Sequence, residues 1–359
     1  MTSESPDDRV DLAGTRVLHV VQKFSSGVGS AIAQYTHTVS EVEHHLLSGT
    51  PVDAEGDLAQ QGDFASVHRM DGGHVARIRR VREVIDELRP DVVHAHSSHG
   101  GAYARLAVSR RRAHLVYTPH CYAFERRDVS GPVRAGFWGL EALLALNTSA
   151  VAACSPREWQ LARWLTHGAP RHLVPNIAPL HRPSRPDERG TTRLVVGGGR
   201  LSPQKDPAYF LRVVHQLREA RPGVRAVWLG DGDPSWRASL EDDGVEVSGW
   251  LPRDAVTEVL GAADLYLHSA RWEGFPLMVA EAAALGVPTL VRRLPCFAGV
   301  PAALTLTADP QVDAAVSLLD DDAVAADNVA AWAQVLARNT REDQRAGLLA
   351  SYSPGTNAG

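Results

Sequence analysis

The chain has 359 residues, of which 44% are hydrophobic, and its formal net charge at pH 7 is −5. A chain of this length has more residues than one hydrophobic core usually accommodates, which predicts about two domains. The mild negative charge argues against a general nucleic-acid binder. Three scattered cysteines, Cys121, Cys154 and Cys296, give neither a disulfide framework nor a zinc motif.

The sequence has no run of about 18 apolar residues that would suit a membrane span. Residues 1–11 are acidic and polar, unlike a signal peptide. We therefore expect a cytoplasmic protein.

In the first half of the chain, short β-rich runs alternate with helical patterns. This alternation predicts parallel strands joined by crossover helices. A proline ring ends the second helical pattern after Arg89. The predicted strands are residues 15–21, 114–118 and 150–153, and the predicted helices are residues 31–39, 75–88 and 137–146.

Residues 178–192 are rich in Pro, Arg and Asp and show no periodicity, which is typical of a linker. The alternation then resumes. The predicted strands are residues 193–197, 225–229, 264–268 and 288–291, and the predicted helices are residues 206–221, 276–285 and 321–337.

These patterns predict an α/β protein with two Rossmann-like domains. The N-terminal domain would cover residues 1–180, a linker residues 181–192, and the C-terminal domain residues 193–359. Two such doubly wound domains would face a central cleft at the carboxyl ends of both sheets.

The most informative segment contains Glu273 and Glu281, which stand eight residues apart across a strand-to-helix junction. This spacing is a little over two helical turns, so both carboxylates can face one cleft. Gly274, Phe275 and Pro276 open a helix whose free N–H groups suit an anion such as a diphosphate. A Pro-started helix with an acidic first turn explains the same residues without a ligand.

A glycine-rich strand end in residues 197–199 is followed by Arg200 and Lys205. Arg can fork onto phosphate oxygens, and Lys acts as a compact charge. The two cations could replace a metal in neutralising a leaving nucleoside diphosphate. The alternative is a pair of solvated charges around a turn.

Gly27 and Gly29 follow the first predicted strand, and Ser30 could cap the next helix. Glycines at this position allow close approach of the backbone to a ligand. The spacing is not GxGxxG and no P-loop lysine is present, so dinucleotide and ATP sites are disfavoured. A simple tight turn remains the alternative.

His120 follows the predicted strand 114–118 and Pro119. An imidazole there could orient a sugar hydroxyl or stabilise developing charge, although a structural histidine is the alternative. His94 and His96 alternate at strand spacing, which would suit a metal site. No acidic or cysteine partner lies nearby in sequence, so we do not expect a metal there.

Two further patterns have simpler explanations than a site. Asp231 and Asp233 have the DxD spelling of metal-dependent sugar transferases, but they follow a strand and precede Pro234, which favours a turn and a helix start. The basic residues from Arg77 to Arg82 lie on an amphipathic helix that could touch an anionic membrane or a lipid-linked acceptor. A solvated helix face is the alternative.

Together these segments resemble a retaining glycosyltransferase of family 4 with the GT-B architecture. The resemblance runs in order from about residue 15 to about residue 290. The E-x7-E spacing combined with the Arg/Lys motif is its most specific part. The matching motifs are Gly27–Gly29, His94-Ala-His-Ser-Ser98, Tyr117-Thr-Pro-His120, Val174-Pro-Asn-Ile177, Gly199-Arg-Leu-Ser-Pro-Gln-Lys205, Leu229-Gly-Asp-Gly232, and Glu273-Gly-Phe-Pro-Leu277 with Glu281.

The resemblance implies a role for each candidate residue. Arg200 and Lys205 would hold the donor diphosphate, Glu281 the ribose hydroxyls, and Glu273 hydroxyls of the transferred sugar. His120 matches the active-site histidine of the family, near that sugar. The other implied donor contacts are the backbone of Gly274, Phe275, Pro276, Leu277 and Met278 at the phosphates, Gly27 and Gly29 closing over them, and Trp250 and Leu251 near the nucleobase.

Enzymes of this family usually need no divalent metal and no cofactor besides the nucleotide-sugar donor. Retention is thought to proceed on one face of the sugar, with the leaving phosphate helping to deprotonate the acceptor hydroxyl. The protein would then mainly position reactants and stabilise charge. The sequence contains no carboxylate that must act as a covalent nucleophile.

We therefore expect transfer of a hexose-type sugar from a nucleotide diphosphate sugar, a UDP-sugar above others, to a hydroxyl acceptor. The product would belong to glycan, glycolipid or natural-product biosynthesis. The alternatives are a nucleotide-sugar epimerase on the same fold and a non-catalytic nucleotide-sugar-binding protein.

The sequence departs from the family at two places. The family often has a small, glycine-containing loop after the strand 288–291, whereas this chain has the bulkier segment 292–297, which could reshape the donor pocket. The family also tends to finish with a long helix that crosses back onto the first domain. This chain stops soon after Tyr352, so we expect weaker packing between the domains or a partner that supplies it.

Overall fold

The structure, a computed structural model, describes residues 12, 14–50, 62–166, 168–178 and 192–354. It divides into two compact units. The first unit groups Met1–Tyr122, Gly136–Pro175 and Arg341–Gly359, and the second unit groups Ala123–Ala135 and Asn176–Thr340. The predicted domains, 1–180 and 193–359, differ from these units at residues 123–135, which group with the second unit, and at residues 341–359, which group with the first.

The first unit is built on a parallel sheet. Its strands are β1 (Arg16–Val21), β2 (Glu43–Ser48), β3 (Ser66–Arg69), β4 (Val92–His96), β5 (His114–Thr118), β6 (Ala150–Ala153) and β7 (Arg171–Leu173). In the described residues these strands pair in the order β3-β2-β1-β4-β5-β6-β7. The order reverses between β1 and β4, where doubly wound sheets form a crevice for ligands at their carboxyl ends.

Helices follow β1, β3, β4, β5 and β6 and lead to the next strand, as parallel pairing requires. They are α1 (Ser26–Thr38), α2 (His74–Leu88), α3 (Ser97–Ala107), α4 (Gly131–Ala145), of which residues 131–135 are grouped with the second unit, and α5 (Pro156–Leu165).

The second unit repeats this plan. Its strands are β8 (Leu194–Gly198), β9 (Arg225–Leu229), β10 (Glu246–Val247), β11 (Leu265–His268), β12 (Thr289–Arg292) and β13 (Thr305–Leu306), and its helices are α6 (Pro207–Ala220), α7 (Pro234–Asp242), α8 (Arg253–Gly261), α9 (Leu277–Ala284), α10 (Asp313–Asp320) and α11 (Asp322–Val335). Within the described chain the strands pair in parallel in the order β10-β9-β8-β11-β12-β13. The reversal between β8 and β11 places the carboxyl ends of these two strands at a second crevice.

Apolar side chains cover both faces of the second sheet. On β8, Val195 packs into one buried cluster with Trp228 and Leu265, whereas its neighbour Val196 packs into another with Tyr266. Successive side chains of a strand point to opposite faces, so this division means that helices cover the sheet on both sides. The predicted α/β class with two Rossmann-like parallel sheets is thus confirmed.

The last helix, α12 (Arg341–Tyr352), belongs to the first unit. Gln344 accepts a hydrogen bond from Thr38 Oγ1 at 2.7 Å and donates one to Pro175 O at 2.9 Å. Gly347 lies so close to β7 that a Cβ atom there would be 2.1 Å from Leu173 O. Residues 341–352 thus form a last helix that belongs to the first unit, despite the short C-terminus, and the expected effect on packing between the domains stays a prediction.

Most predicted elements agree with the structure to within a residue or two, and strands 114–118, 150–153 and 225–229 agree at both ends. The helix predicted at residues 31–39 instead begins at Ser26, after the extended residue Ser25. Gly27 and Gly29 therefore lie in the first turn of α1 rather than in a loop, and Ser30 is inside the helix. The weak helix propensity of glycine is outweighed here by packing, because Ile32 and its neighbours are fully buried.

The predicted linker falls mostly on residues 179–191, which lie outside the described part of the chain. Among the described helices, none combines the length and the apolar character needed to cross a bilayer.

Candidate functional site

The loop after β8 begins with Gly199, whose backbone has a φ of +122°. Side chains other than that of glycine rarely adopt this conformation. A Cβ atom at Gly199 would also lie 2.7 Å from Cε of Lys205. Gly199 therefore lets the lysine side chain fold back over the end of β8.

The ammonium group of Lys205 forms an ion pair with Oε1 of Glu273. Lys205 follows β8 and Glu273 follows β11, so the two strands that flank the crevice of the second sheet each supply one partner. The side chains are 22% and 10% exposed, which leaves the pair partly screened from water but accessible. A cation beside a carboxylate at this edge of the second sheet suits a ligand that carries both phosphate and hydroxyl groups.

His268, the last residue of β11, lies behind this ion pair. Its Nε2 atom is 3.8 Å from Oε1 of Glu273 and has no hydrogen-bond partner among the described residues, while its Nδ1 atom is 3.1 Å from the Tyr266 hydroxyl. Burial lowers the pKa of His268 well below its usual value, and the Lys205 ammonium lowers it further. A neutral imidazole therefore lies next to the charged pair.

Hydrogen bonds to backbone carbonyl groups hold the two loops together. Ser269 Oγ donates to Lys205 O at 2.6 Å, and the Arg271 amide donates to Gln204 O at 2.8 Å. Gln204 Nε2 donates in turn to Trp272 O at 3.1 Å. These bonds fix the relative positions of Lys205 and Glu273 before any ligand arrives, which is the preorganisation that charge stabilisation needs.

Arg200 lies beside Trp250. Its guanidinium carbon is 5.6 Å from the centre of the indole ring, within the range of a cation–π contact. Short β-bridges join Leu201 to Gly232 and Gly230 to Gly249, and they bring the loops after β8, β9 and β10 together. Trp250 is 47% exposed, so its ring forms an accessible flat surface at this edge. Leu251, the next residue, packs against the buried cluster around Val196.

Helix α9 begins directly after Pro276, and Glu281 lies one turn further along it. Glu281 is buried and forms an ion pair with Arg253 of α8. Met278, in the first turn, packs so closely on β8 that a Cβ atom at Gly198 would be 2.8 Å from its sulfur atom. The first turn of α9 therefore lies against the end of β8, the strand that precedes Lys205.

The segment from Gly274 to Leu277 joins Glu273 to α9. The carbonyl of Phe275 accepts a hydrogen bond from Asn176 Nδ2 at 2.8 Å, and its ring meets the ring of Phe297 at a centroid distance of 6.0 Å. The first N–H groups of a helix have no partner within the helix, so this end can accept an anion.

The bulky segment 292–297 packs into the second unit. Arg292 donates to Asp206 Oδ2 at 2.6 Å, and its guanidinium carbon is 4.4 Å from the centre of the Tyr209 ring. Cys296 and Phe297 are buried in the core. Arg292 also fixes Asp206, the N-cap of α6, which follows Lys205 directly and has a left-handed φ of 48°. The sequence showed that this segment is unusually bulky, but no sequence pattern indicated the contact between Arg292 and Asp206.

In the first unit, His120 follows β5 and has a left-handed φ of 48°, and Cys121 after it has a φ of 81°. Two consecutive left-handed residues that are not glycine cost free energy and persist only where their surroundings hold them. The buried carboxylate of Glu158 does so, because it accepts hydrogen bonds from the backbone N–H groups of Cys121 and Cys154.

His120 is not an isolated histidine. Its Nε2 atom is 3.1 Å from Nδ1 of His96, whose Nε2 atom is 3.0 Å from Nδ1 of His19. The chain of bonds continues from Nε2 of His19 to Nδ1 of His44 at 3.0 Å, and from Nε2 of His44 to Val39 O at 3.0 Å. We call His44, His19, His96 and His120 the histidine chain. The sequence analysis missed His19 and His44.

His94 lies beside this chain but bonds elsewhere. Its Nδ1 atom is 3.0 Å from the hydroxyl of Tyr352 on α12, and its Nε2 atom is 2.8 Å from Thr118 Oγ1. His19, His94 and His96 each place a ring nitrogen within 4.8 Å of the others, a spacing that a metal ion could use. Every ring nitrogen of these three residues already has a hydrogen-bond partner, so the polar groups are satisfied without an ion.

The two remaining patterns have local partners. Asp233 is the N-cap of α7, and its Oδ1 atom accepts from Ser235 N at 2.9 Å, which confirms the predicted turn and helix start. In the basic cluster on α2, Arg80 pairs with Glu83 and Glu87 at 3.3 Å each, and Arg82 Nε donates to Ala107 O at 2.9 Å.

The structure thus brings most of the predicted donor residues to one edge of the second sheet. These residues are Arg200, Lys205, Trp250, Glu273, Met278 and the start of α9. His120, Gly27 and Gly29 belong to the first unit, where they lie after β5 and β1.

Two family models match the chain. The model described as glycosyl transferase 4-like domain matches residues 16–177, and the model described as glycosyl transferases group 1 matches residues 192–336. Each model therefore covers one of the two parallel sheets.

Individual proteins agree with this assignment. An uncharacterised 41.2 kDa protein from the cps region of Klebsiella pneumoniae is 22% identical over 77% of this chain and 81% of its own length. The Escherichia coli UDP-Gal:alpha-D-GlcNAc-diphosphoundecaprenol alpha-1,3-galactosyltransferase is 26% identical over 59% of this chain, which spans 60% of that enzyme's length. The structure of Anabaena Alr3699/HepE in complex with UDP and glucose superposes with a TM-score of 0.74 at 17% identity, covering 94% of this chain and 100% of that one. The chain is a glycosyltransferase of the GT-B fold, in which a glycosyl transferase 4-like domain is followed by a glycosyl transferases group 1 domain.

Proposed function

We propose that this glycosyltransferase moves a hexose-type sugar from a UDP-sugar to a hydroxyl acceptor, with retention of the anomeric configuration and without a divalent metal. The proposal depends on the ion pair of Lys205 and Glu273, which two hydrogen-bonded loops hold at the crevice of the second sheet. A nucleotide sugar has the phosphate and hydroxyl groups that such a pair can bind.

The two cations and the N-terminus of α9 act together on the donor diphosphate. Lys205 and Arg200 neutralise the diphosphate as its bond to the sugar breaks, and the N-terminus of α9 adds its N–H groups. When Lys205 turns toward the diphosphate, Glu273 can accept hydrogen bonds from hydroxyls of the transferred sugar. Two cations and a helix end can stabilise this charge in the way a metal ion does elsewhere, which supports the proposed metal independence.

The nucleoside half of the donor meets Glu281 and Trp250. Glu281 is held by Arg253, so its carboxylate is already oriented when the ribose hydroxyls arrive. Trp250 offers an exposed ring beside Arg200, which suits a nucleobase. The family resemblance adds His120 near the transferred sugar. The relatives support a uridine donor, since the Escherichia coli enzyme uses UDP-Gal and the Anabaena structure contains UDP.

The acceptor class follows from the relatives alone. The Escherichia coli relative acts on a sugar linked to undecaprenol diphosphate. We propose an acceptor of the same chemical kind, a sugar hydroxyl of a growing cell-surface glycan.

The proposal is tested by incubating the protein with UDP-glucose, UDP-galactose or UDP-N-acetylglucosamine and a panel of glycoside and lipid-linked sugar acceptors. Mass spectrometry should detect an acceptor enlarged by one sugar, and the NMR coupling of its anomeric proton should match that of the donor. Excess chelator should leave the rate unchanged. Inversion at the anomeric carbon or a rate that needs added metal would contradict these parts of the proposal.

The same assay separates the two alternative functions. An epimerase would convert the donor when no acceptor is present. A binding protein would protect the donor without turnover across the whole panel. Either result would replace the proposed activity.

A further inference from the structure

The histidine chain runs through the buried centre of the first sheet. His19 lies on β1 and His96 on β4, the two strands at which the strand order reverses, and both are fully buried. Central strands of a parallel sheet are normally apolar on both faces. Polar rings at such positions require partners, and here they bond to one another.

One end of the chain fixes its direction. Val39 O can only accept, so Nε2 of His44 must carry the hydrogen of their shared bond. Burial lowers the pKa of His44, His19 and His96 and lowers the pKa of His120 to about 3, so all four rings are neutral near pH 7. A neutral imidazole has one N–H group and one lone pair.

The direction then passes from ring to ring. Nδ1 of His44 has a lone pair and accepts from Nε2 of His19, and Nδ1 of His19 accepts from Nε2 of His96. Nδ1 of His96 accepts from Nε2 of His120. Reversing all four rings would bring a lone pair of His44 against the lone pairs of Val39 O, which is unfavourable.

We propose that the histidine chain holds His120 as the tautomer with its hydrogen on Nε2, so that Nδ1 accepts a hydrogen bond from a hydroxyl of the bound sugar. This role rests on the proposed function. His44, His19 and His96 are positioning residues, since each acts on the substrate only through the next ring.

The backbone supports the same conclusion. His120 and Cys121 are kept in left-handed conformations by the buried carboxylate of Glu158. The backbone conformation of His120 is therefore fixed, and its ring is held by the hydrogen bond at Nε2. Among the described residues, its Nδ1 atom has no hydrogen-bond partner, and the residue is half-buried. Strain that the surroundings maintain at an accessible polar atom is typical of a functional position.

The tautomer can be measured without any activity. In protein labelled with ¹⁵N at histidine, long-range ¹H–¹⁵N correlation distinguishes a ring nitrogen with a hydrogen from one with a lone pair. Loss of one signal set in His120→Gln assigns His120. We expect Nε2 of His120 to be protonated and Nδ1 to be bare in the wild-type protein. A protonated Nδ1 would overturn the proposal.

Two variants of His96 test the chain itself. In His96→Gln the amide oxygen can accept from Nε2 of His120, whereas in His96→Leu nothing can. We expect His96→Leu to lower kcat on the order of tenfold to hundredfold with little change in the donor KM and to mix the tautomers of His120. His96→Gln should retain most of the activity and the wild-type tautomer. Equal behaviour of the two variants would contradict the chain, and if His96→Leu does not fold, the wild-type spectrum still decides.

A titration with Zn²⁺ addresses the competing explanation. We expect the signals of His19, His94 and His96 to be unchanged by one equivalent of the ion. Stoichiometric uptake that replaces the His19–His96 hydrogen bond would overturn the proposal in favour of a metal site. If the tautomer is as expected but no sugar is transferred from any donor, the proposed function fails and the tautomer assignment stands.

Discussion

The ammonium of Lys205 contacts the carboxylate of Glu273 across 68 residues of chain, at the ends of β8 and β11. The neutral ring of His268 lies 3.8 Å behind the carboxylate, and burial together with Lys205 keeps the pKa of this ring low. A cation, a carboxylate and a neutral imidazole therefore lie together at this crevice before any ligand binds. The predictions below test that arrangement and the fold that holds it.

Gly199→Ala should lower activity more than stability. The new Cβ atom would lie 2.7 Å from Lys205 Cε and would displace the lysine from Glu273. Gly223→Ala is the matched control, because Gly223 also has a positive φ, of +89°, but open space around its Cβ position. Both variants should lose about 1–3 kcal/mol of unfolding free energy through backbone strain. Only Gly199→Ala should lose most of its transfer rate, and equal rates in the two variants would show that Lys205 does not depend on this glycine.

Glu281→Gln should weaken nucleotide binding. The substitution removes the charged group that we propose accepts from the ribose hydroxyls, together with the ion pair that orients it with Arg253. A hydrogen bond to a charged group contributes about 1.5–3 kcal/mol, which corresponds to a Kd for UDP raised roughly tenfold to hundredfold. Calorimetric titration of UDP measures this, with the exposed Glu258→Gln on α8 as control. Unchanged affinity in Glu281→Gln would remove the ribose assignment.

Gly347→Ala should destabilise the first unit. Its Cβ atom would be 2.1 Å from Leu173 O, so α12 would have to move away from β7. Overpacking of this kind costs about 1–3 kcal/mol. Gly139→Ala on α4 has open space and should be neutral or stabilising by up to about 1 kcal/mol. Denaturant unfolding compares the two variants, and equal midpoints would mean that α12 does not pack on β7 as described.

Stability should fall steeply as the pH drops below about 6.5, the value for an unperturbed histidine. Burial lowers the pKa of His19, His94, His96 and His120, so these rings stay neutral in the folded protein and take up protons when it unfolds. The unfolded state therefore binds more protons, and each ring removes up to about 1.4 kcal/mol per pH unit between the unfolded and the folded pKa.

Urea unfolding between pH 5 and pH 7.5 measures this slope. His215→Ala, which removes a half-exposed histidine on α6, should leave the slope unchanged. His94→Gln should reduce it by about one proton. A stability that does not vary over this pH range would show that the buried histidines are not neutral in the folded protein.

The sequence predicted the sheets well and the histidine chain poorly. Strand 114–118 is a short apolar run with a proline behind it, so its limits are local properties of the sequence. The partnership of His120 with His96 and His19 depends on strand register and strand order, which no local pattern contains. A histidine in the middle of the apolar strand β1 was the available signal, since a buried polar ring needs a partner.

Long-range packing explains the other differences. Residues 341–352 form a helix, but long-range contacts such as those of Gln344, Gly347 and Tyr352 place it in the first unit. At the carboxyl edge of the second sheet, the motifs around Lys205 and Glu273 predicted a donor site, and the structure brings the two side chains together. The supporting contacts of His268, Gln204 and Asp206 come from residue types that occur at many solvated turns, so sequence could not separate them from such turns.

Calorimetric titration of UDP into Lys205→Ala, with Arg225→Ala as control, measures directly whether the donor diphosphate binds at Lys205. Arg225 is in the same unit and forms an exposed ion pair with Glu246, at side-chain exposures of 64% and 66%. We expect Lys205→Ala to raise the Kd for UDP on the order of tenfold to hundredfold, while Arg225→Ala binds as the wild type does. Equal affinities in these two variants, together with equal rates of sugar transfer, would contradict the claim that the donor diphosphate binds at Lys205.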